Sequence, residues 1–191
     1  MSCTVQLGGL VANPSIEGTS TSGLRPLAAA PHVKRSASEH MRATPEQLHE
    51  MLTYCLSFAR TMLEDSGDFY PFGATLSPQG VVAVVGGYNG DEHPVPTEIY
   101  KLLSEAILSG AARHEHAGVA LAANVNIPPE YSAPSRNGLR VHLETQGYSR
   151  FIYVPYTIAM QGLIKKRRTV QFAEPFAVEL APTFYAAQPD A

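Results

Sequence analysis

The sequence predicts an α+β domain: a two-layer, mostly antiparallel sheet of five or six strands, with two amphipathic helices on one face. Two stretches with apolar residues at helical spacing, and a series of short β-rich runs bounded by Gly, Pro, Asn and Ser, carry that prediction. Most of the later runs follow one another through short turns, which antiparallel neighbours permit and parallel ones do not.

The first helix starts at Thr44-Pro45-Glu46-Gln47, where the Thr44 hydroxyl can accept from the Gln47 amide and Pro45 needs no donor. Leu48, Met51, Leu52, Cys55, Phe58 or Ala59, Met62 and Leu63 then form one apolar stripe. Asp65-Ser66-Gly67 ends it, with Gly67 suited to the left-handed terminal position. Residues 69–76 and 81–88 are expected to form a hairpin through Ser77-Pro78-Gln79-Gly80. After a loop over 86–96, Thr97 is expected to cap a second helix whose inner face is Ile99, Leu102, Leu103, Ala106, Ile107 and Gly110, ending near Arg113.

Residues 119–127 read as a half-buried strand, stopped by Pro128-Pro129. Leu139, Val141 and Leu143 alternate with Arg140, His142 and Glu144, the pattern of a strand with one wet face. Gln146-Gly147 turns the chain into 151–156, and a last strand runs through 169–172, extended by 176–180 beyond Pro175. The element order is helix, hairpin, helix, then three or four strands. It resembles that of profilin-like and roadblock-like folds, a likeness of element order alone.

The boundaries expected from these signals are a disordered leader over 1–40, one domain over 41–182 and a tail over 183–191. Met41, where the Gly, Ser, Thr, Pro and Ala-rich character ends, reads as an alternative start or as an ordinary internal Met. Apolar residues make up 45% of the chain and charged residues 16%, a globular balance able to sustain a core without covalent help. Cys3 and Cys55, one in the leader and one within a helix, are poorly placed for a bridge, which argues against a disulfide-framed secreted module. No apolar stretch has the roughly 20 residues of a membrane helix. The leader has no apolar secretory core, although its Ser, Ala and few basic residues carry a weak transit-peptide character. A cytoplasmic location is expected.

Five acidic residues, Glu64, Asp65, Asp68, Asp91 and Glu92, flank the predicted hairpin and are candidates for an acidic rim that steers a basic partner; solvated loop charge is the plainer reading. Lys165, Lys166, Arg167 and Arg168 form the one basic run, read either as a phosphate-contacting or acid-contacting patch or as a charged guard on a sheet edge. With a net charge of −3, broad attraction to nucleic acid is not expected.

His114 and His116, two residues apart, are weak candidate metal ligands. A third ligand from Asp91 or His93 would lie at the other end of the second helix, about 25 Å away. The plainer reading is a helix exit where His complements the dipole. Gly86-Gly87-Tyr88-Asn89-Gly90 lacks the Lys-Ser/Thr ending of a phosphate loop and reads as a turn. His142 is read as a surface residue beside Arg140 and Glu144, with Tyr148 or Tyr153 as conceivable acid-base companions.

No nucleophile stands at a recognisable catalytic spacing and no cofactor signature is present. The reading that follows is a non-enzymatic protein-interaction module, of the kind seen in bacterial immunity or adaptor proteins, binding a partner through acidic loops or an open sheet face. Homodimerisation through that face is a further expectation. The alternative is a small enzyme or ligand-binding domain with a pocket between sheet and helices that holds His142, Tyr153 or the His114/His116 pair.

Overall fold

The computed structural model describes residues 4–8, 42–162 and 166–186. They form an α+β domain around one curled antiparallel sheet. In chain order the elements are β1 (Thr4–Gly8), α1 (Pro45–Asp65), β2 (Phe72–Leu76), β3 (Val82–Tyr88), α2 (Pro96–Ala112), β4 (Gly118–Asn126), β5 (Asn137–Thr145), β6 (Tyr148–Gln161), β7 (Arg167–Phe172) and β8 (Phe176–Glu179), with a single 3-10 turn at Pro129–Tyr131. The sheet order is β1-β3-β2-β4-β5-β6-β7, and β8 also pairs with β6.

Local chemistry sets the boundaries. Thr44 closes the expected capping box: its hydroxyl accepts from the Gln47 amide at 3.3 Å, and the Gln47 carbonyl oxygen accepts from the Thr44 amide at 2.9 Å. Gly67, at φ 86°, takes the left-handed position beyond the helix end. The hairpin turn is closed by the Gly80 amide donating to the Ser77 carbonyl, with Gly80 at φ 83°. In α2 the expected Thr97 cap is replaced by Val95, which makes no side-chain bond. Pro96 opens the helix, and its missing N–H removes one of the donors a cap would satisfy.

The two helices lie on opposite faces of the sheet, which corrects the expected arrangement. On β4, Ala120 and Ala122 join the cluster around α1, with Leu48, Met51, Cys55, Ala59 and Leu63. Val119 and Leu121 join the cluster around α2, with Ile99, Leu103 and Ile107. Successive side chains of a strand point to opposite faces, so the two clusters are on opposite sides. β4 is therefore dry on both faces rather than half-buried, with Gly118 to Ala123 all buried. Small residues line the α1 side, where a Cβ on Gly118 would already touch Ala43 at 3.2 Å.

β6 is 14 residues long and bends: Tyr148 to Pro155 pair with β5, while Tyr156 to Gln161 pair with β7. β7 and β8 lie end to end along one edge of β6, as the break at Pro175 suggested. Their registers differ by one residue, since Tyr156 faces Phe172 but Tyr153 faces Phe176. This bulge turns Phe176 to the α2 side, where it stacks on Tyr153 at 5.3 Å.

The fold also extends beyond the expected 41–182 boundary. Thr4–Gly8 pairs antiparallel with β3, and Phe184 is buried in the α2-side cluster. The rest of the expected leader over 1–40, Met41 at the expected start of the domain, and residues 187–191 lie outside the described residues. No helix among the described residues is long and apolar enough to cross a membrane.

Candidate functional site

The densest polar chemistry lies on the α2 side of β5, the face expected to be wet. His142 and Glu144 are 4% and 0% exposed. The chain beyond β8 folds back over them: the amides of Thr183, Phe184 and Tyr185 all donate to the Glu144 carboxylate, at 2.8 to 3.0 Å. Ser149, on β6, donates to Glu144 Oε2 at 3.0 Å, and His142 Nε2 stands 3.0 Å from the same oxygen. The Tyr185 hydroxyl donates to the His116 carbonyl, tying this strap to the exit of α2.

Burial alone would raise the Glu144 pKa. The His142 contact and the three strap amides outweigh it, and the carboxyl is held below its ordinary value. A carboxylate with this many donors is stable as an anion in an apolar setting.

The trio contains Ser, His and Glu but lacks the geometry of a catalytic triad. Ser149 Oγ and Glu144 both face the same nitrogen, His142 Nε2, with Ser149 at 3.3 Å. In a triad the imidazole bridges the two through different nitrogens. Here the Ser149 hydrogen points to the carboxylate, and the rings of Phe151 and Phe184 pack on His142 at 5.0 and 4.9 Å. The arrangement pins the strap, with the Ser149 hydroxyl hydrogen and His142 Nε2 both committed to Glu144.

Beside it, Arg140 lies between the rings of Phe151 at 4.5 Å and Tyr100 at 5.2 Å, so two π faces hold the guanidinium. Its Nε is buried without a hydrogen-bond partner among the described residues. Tyr153 is 5% exposed and sits under Tyr131 and Phe176.

The acidic candidates divide. Glu64 turns inward and accepts from the Val170 amide at 3.1 Å, while the Asp65 carbonyl accepts from Arg168 at 2.8 Å. Asp68 accepts from its neighbour Phe69 and from Asn124 Nδ2 at 2.6 Å; Asn124 in turn accepts from the Tyr156 hydroxyl. Asp91 and Glu92 are exposed, and Asp91 Oδ1 accepts from the His93 amide. The β2–β3 register of Phe72 with Gly86 brings the segments before β2 and after β3 to the same end of the sheet. Tyr70 and Val95 belong to those segments and Tyr88 ends β3 beside them; they are 48%, 53% and 55% exposed.

Part of the basic run can be placed. Lys165 lies outside the described residues, Lys166 and Arg167 are exposed, and Arg168 caps the carbonyl end of α1 through Asp65. Arg167 and Arg168 stand on the edge strand β7, and α1 adds to the cover of that edge: Arg60 donates to the Val170 carbonyl at 2.8 Å while Glu64 accepts from the Val170 amide. That pairing of helix side chains with strand backbone had no sequence signal beyond the i,i+4 spacing of Arg60 and Glu64.

His114 and His116 are not brought together as ligands. His114 is exposed at φ 58°, whereas the His116 ring lies against Gly110, and burial lowers its pKa. Among the described residues no three His, Cys, Asp or Glu side chains gather where a metal ion would sit. A shallow recess of about 150 Å³ opens between Pro134, Ser135, Tyr156, Thr157, Gln171 and Phe172. It holds none of His142, Tyr153, His114 and His116.

Comparison with protein-family models, curated proteins and solved structures returned no match for this chain.

Proposed function

We propose that this chain is a non-enzymatic protein-interaction module, of the kind that bacterial immunity or adaptor proteins represent, and that it meets a basic partner at the open end of the β2–β3 hairpin. One observation carries the reading: exposed Tyr70, Tyr88 and Val95 share that end with exposed Asp91 and Glu92. Aromatic faces and carboxylates together recognise Lys and Arg, the rings through their π faces and the carboxylates through charge-assisted hydrogen bonds. The acidic charge also speeds encounter with a basic surface. The contributors are Asp91, Glu92, Asp68 and the exposed carboxylate of Asp65; the Glu64 carboxylate serves the fold.

The dispersal of the acid-base candidates supports this reading over a small enzyme. His142 is spent on Glu144, Tyr153 is stacked under two rings, and the recess contains neither.

The test is capture of partners from the native cell by the wild-type chain and by an Asp91→Asn/Glu92→Gln variant. The expected result is a basic protein retained by the wild type, lost from the double variant and weakened at high salt. A partner set unchanged by the substitutions, or a turnover activity lost on His142→Gln in a variant that still folds, would overturn it.

A further inference from the structure

The sheet has two outer edges, and they are finished differently. At β7, Arg60 and Glu64 of α1 engage the carbonyl and amide of Val170. These are the groups an incoming strand would use, so the edge is closed from within the domain. At the other end, β3 reads Val82-Ala83-Val84-Val85-Gly86-Gly87-Tyr88, with no charge and no proline. That is the composition of an edge left open to pairing, since the usual guards are Lys, Pro or a bulge. What covers it is β1, five residues in antiparallel register from Thr4 with Tyr88 to Gly8 with Val84.

We propose that the outer edge of β3 is a strand-accepting site whose exchangeable occupant is Thr4–Gly8, supplied by the chain itself or by a second copy. Three features support exchange. β1 pairs with β3 alone, so a swapped strand makes the same backbone bonds in the same register. β3 is held independently on its inner side by β2, and Val85 is anchored in the α2 cluster, so the accepting edge persists when β1 leaves. Residues 9–44 separate β1 from α1, and a connection of that length favours the chain's own strand only through its effective concentration. At high protein concentration a second copy competes. The edge runs up to Tyr88, which the partner reading above also uses, but it contains neither Asp91 nor Glu92 and the inference does not rest on that reading.

The test uses the full-length chain with Cys3→Ser, which removes the cysteine beside β1; Cys55 is buried. Gln6 and Gly86 are register partners, and a Cβ at Gly86 meets nothing within 4 Å among the described residues, so a cysteine fits there. Three proteins are oxidised gently and read on a denaturing gel: one carrying both Gln6→Cys and Gly86→Cys, an equimolar mixture of the two single variants, and a misregistered pair of Gln6→Cys with Val84→Cys. The double variant is expected to give a fast-migrating intrachain product at low concentration. The mixture is expected to give an interchain product that rises at least tenfold between micromolar and near-millimolar protein. The misregistered pair should give several-fold less of either.

An intrachain product with no interchain product at any concentration would overturn exchange. Absence of both, or equal yields from the two registers, would overturn the strand-accepting edge itself. Circular dichroism of each variant identifies any that fails to fold, and a spin-label pair at Gln6 and Gly86 then reads the same proximity without oxidation. Neutralising Asp91 and Glu92 should leave the cross-linking pattern unchanged, so failure of one proposal is separable from failure of the other.

Discussion

On the α1 side of the sheet, Phe72, Ala74, Leu76, Ala120, Ala122, Leu139, Val141, Leu143, Ile152 and Val154 form one apolar cluster with Met51, Cys55, Ala59 and Leu63, and hydrogen-bonded side chains such as Thr145 and Asn124 stand at its margins. On the α2 side the same strands present Gly73, Thr75, Val119, Leu121, Arg140, His142 and Glu144. The helix there packs mainly on β2, β3 and β4, reaching β5 through Tyr100 against Arg140, and a strap over 183–185 finishes the job on β5. Non-directional burial holds the first face, whereas one carboxylate and three backbone amides hold the end of the second. The first should resist single changes by repacking; the second depends on a group with no substitute.

The largest effect is therefore expected at Glu144. Glu144→Ala leaves three strap amides and His142 without their acceptor in a dry site, a loss of about 3 to 5 kcal/mol by analogy with broken buried charge networks. Glu144→Gln keeps one carbonyl acceptor and should fall between. Chemical denaturation measures both, and protease cleavage near Thr183 at concentrations that spare the wild type would show that the strap is what comes loose. Equal stability of Glu144→Ala and wild type would sink the pinned-strap account.

Leu63→Ala, at the centre of the apolar face, should cost about 3 kcal/mol through lost transfer energy and the cavity left behind. Unlike the Glu144 variants, its denaturation midpoint should shift without a new cleavage site near residue 183. The same face supplies a chemical probe: Cys55 is fully buried, and burial pushes its thiol pKa up to about 12. In a Cys3→Ser background, where it is the one thiol, a reagent at pH 8 should label it only as fast as the domain unfolds. Immediate labelling of the native protein would mean that the α1 face is not packed as described.

Acidity should separate the two faces. The Glu144 pKa is depressed in the fold, so its contribution is present above the unfolded value near 4.5 and is lost as pH falls through the lower folded value. Hydrogen exchange at Thr183 to Tyr185 should therefore accelerate below about pH 4.5 before the amides of α1 respond. Simultaneous loss of protection in both regions would erase the distinction.

What the sequence revealed of this arrangement follows the range of the interactions. The Thr44 capping box, the turn closed by Gly80 and the strand interrupted at Pro175 are contacts within a few residues, and residue type alone announces them. The opposite placement of the helices was also present in β4, because Ala120 and Ala122 are apolar between Val119 and Leu121, as a strand with two dry faces requires. His142 and Glu144 could not be read as buried, since the groups that cover Glu144 are backbone amides, which every residue carries. Phe184 and Tyr185, an aromatic pair in an otherwise plain tail, were the available hint. At the candidate interface the acidic residues were visible, but which carboxylates were already engaged was not. Glu64 was lost to Val170, a partner 106 positions away.

The smallest effect expected belongs to the β7 edge, and it sharpens the contrast between bonds that stabilise and bonds that specify. Arg60 lies over the Phe172 ring at 4.7 Å and donates to the Val170 carbonyl, while Glu64 accepts from the Val170 amide. Each contact is partly exposed, so replacing Arg60 or Glu64 by Ala should cost about 1 kcal/mol in denaturation. The edge, however, loses its cover: both backbone groups of Val170 become available to another strand. The Arg60→Ala/Glu64→Ala double variant should remain folded near neutral pH yet associate with rising concentration, as sedimentation velocity would show. Arg60→Lys, which keeps a donor but not the planar fork, should associate less than the double variant. A double variant that stays monomeric at millimolar concentration would mean that the twist of β7, not the α1 side chains, keeps this edge closed.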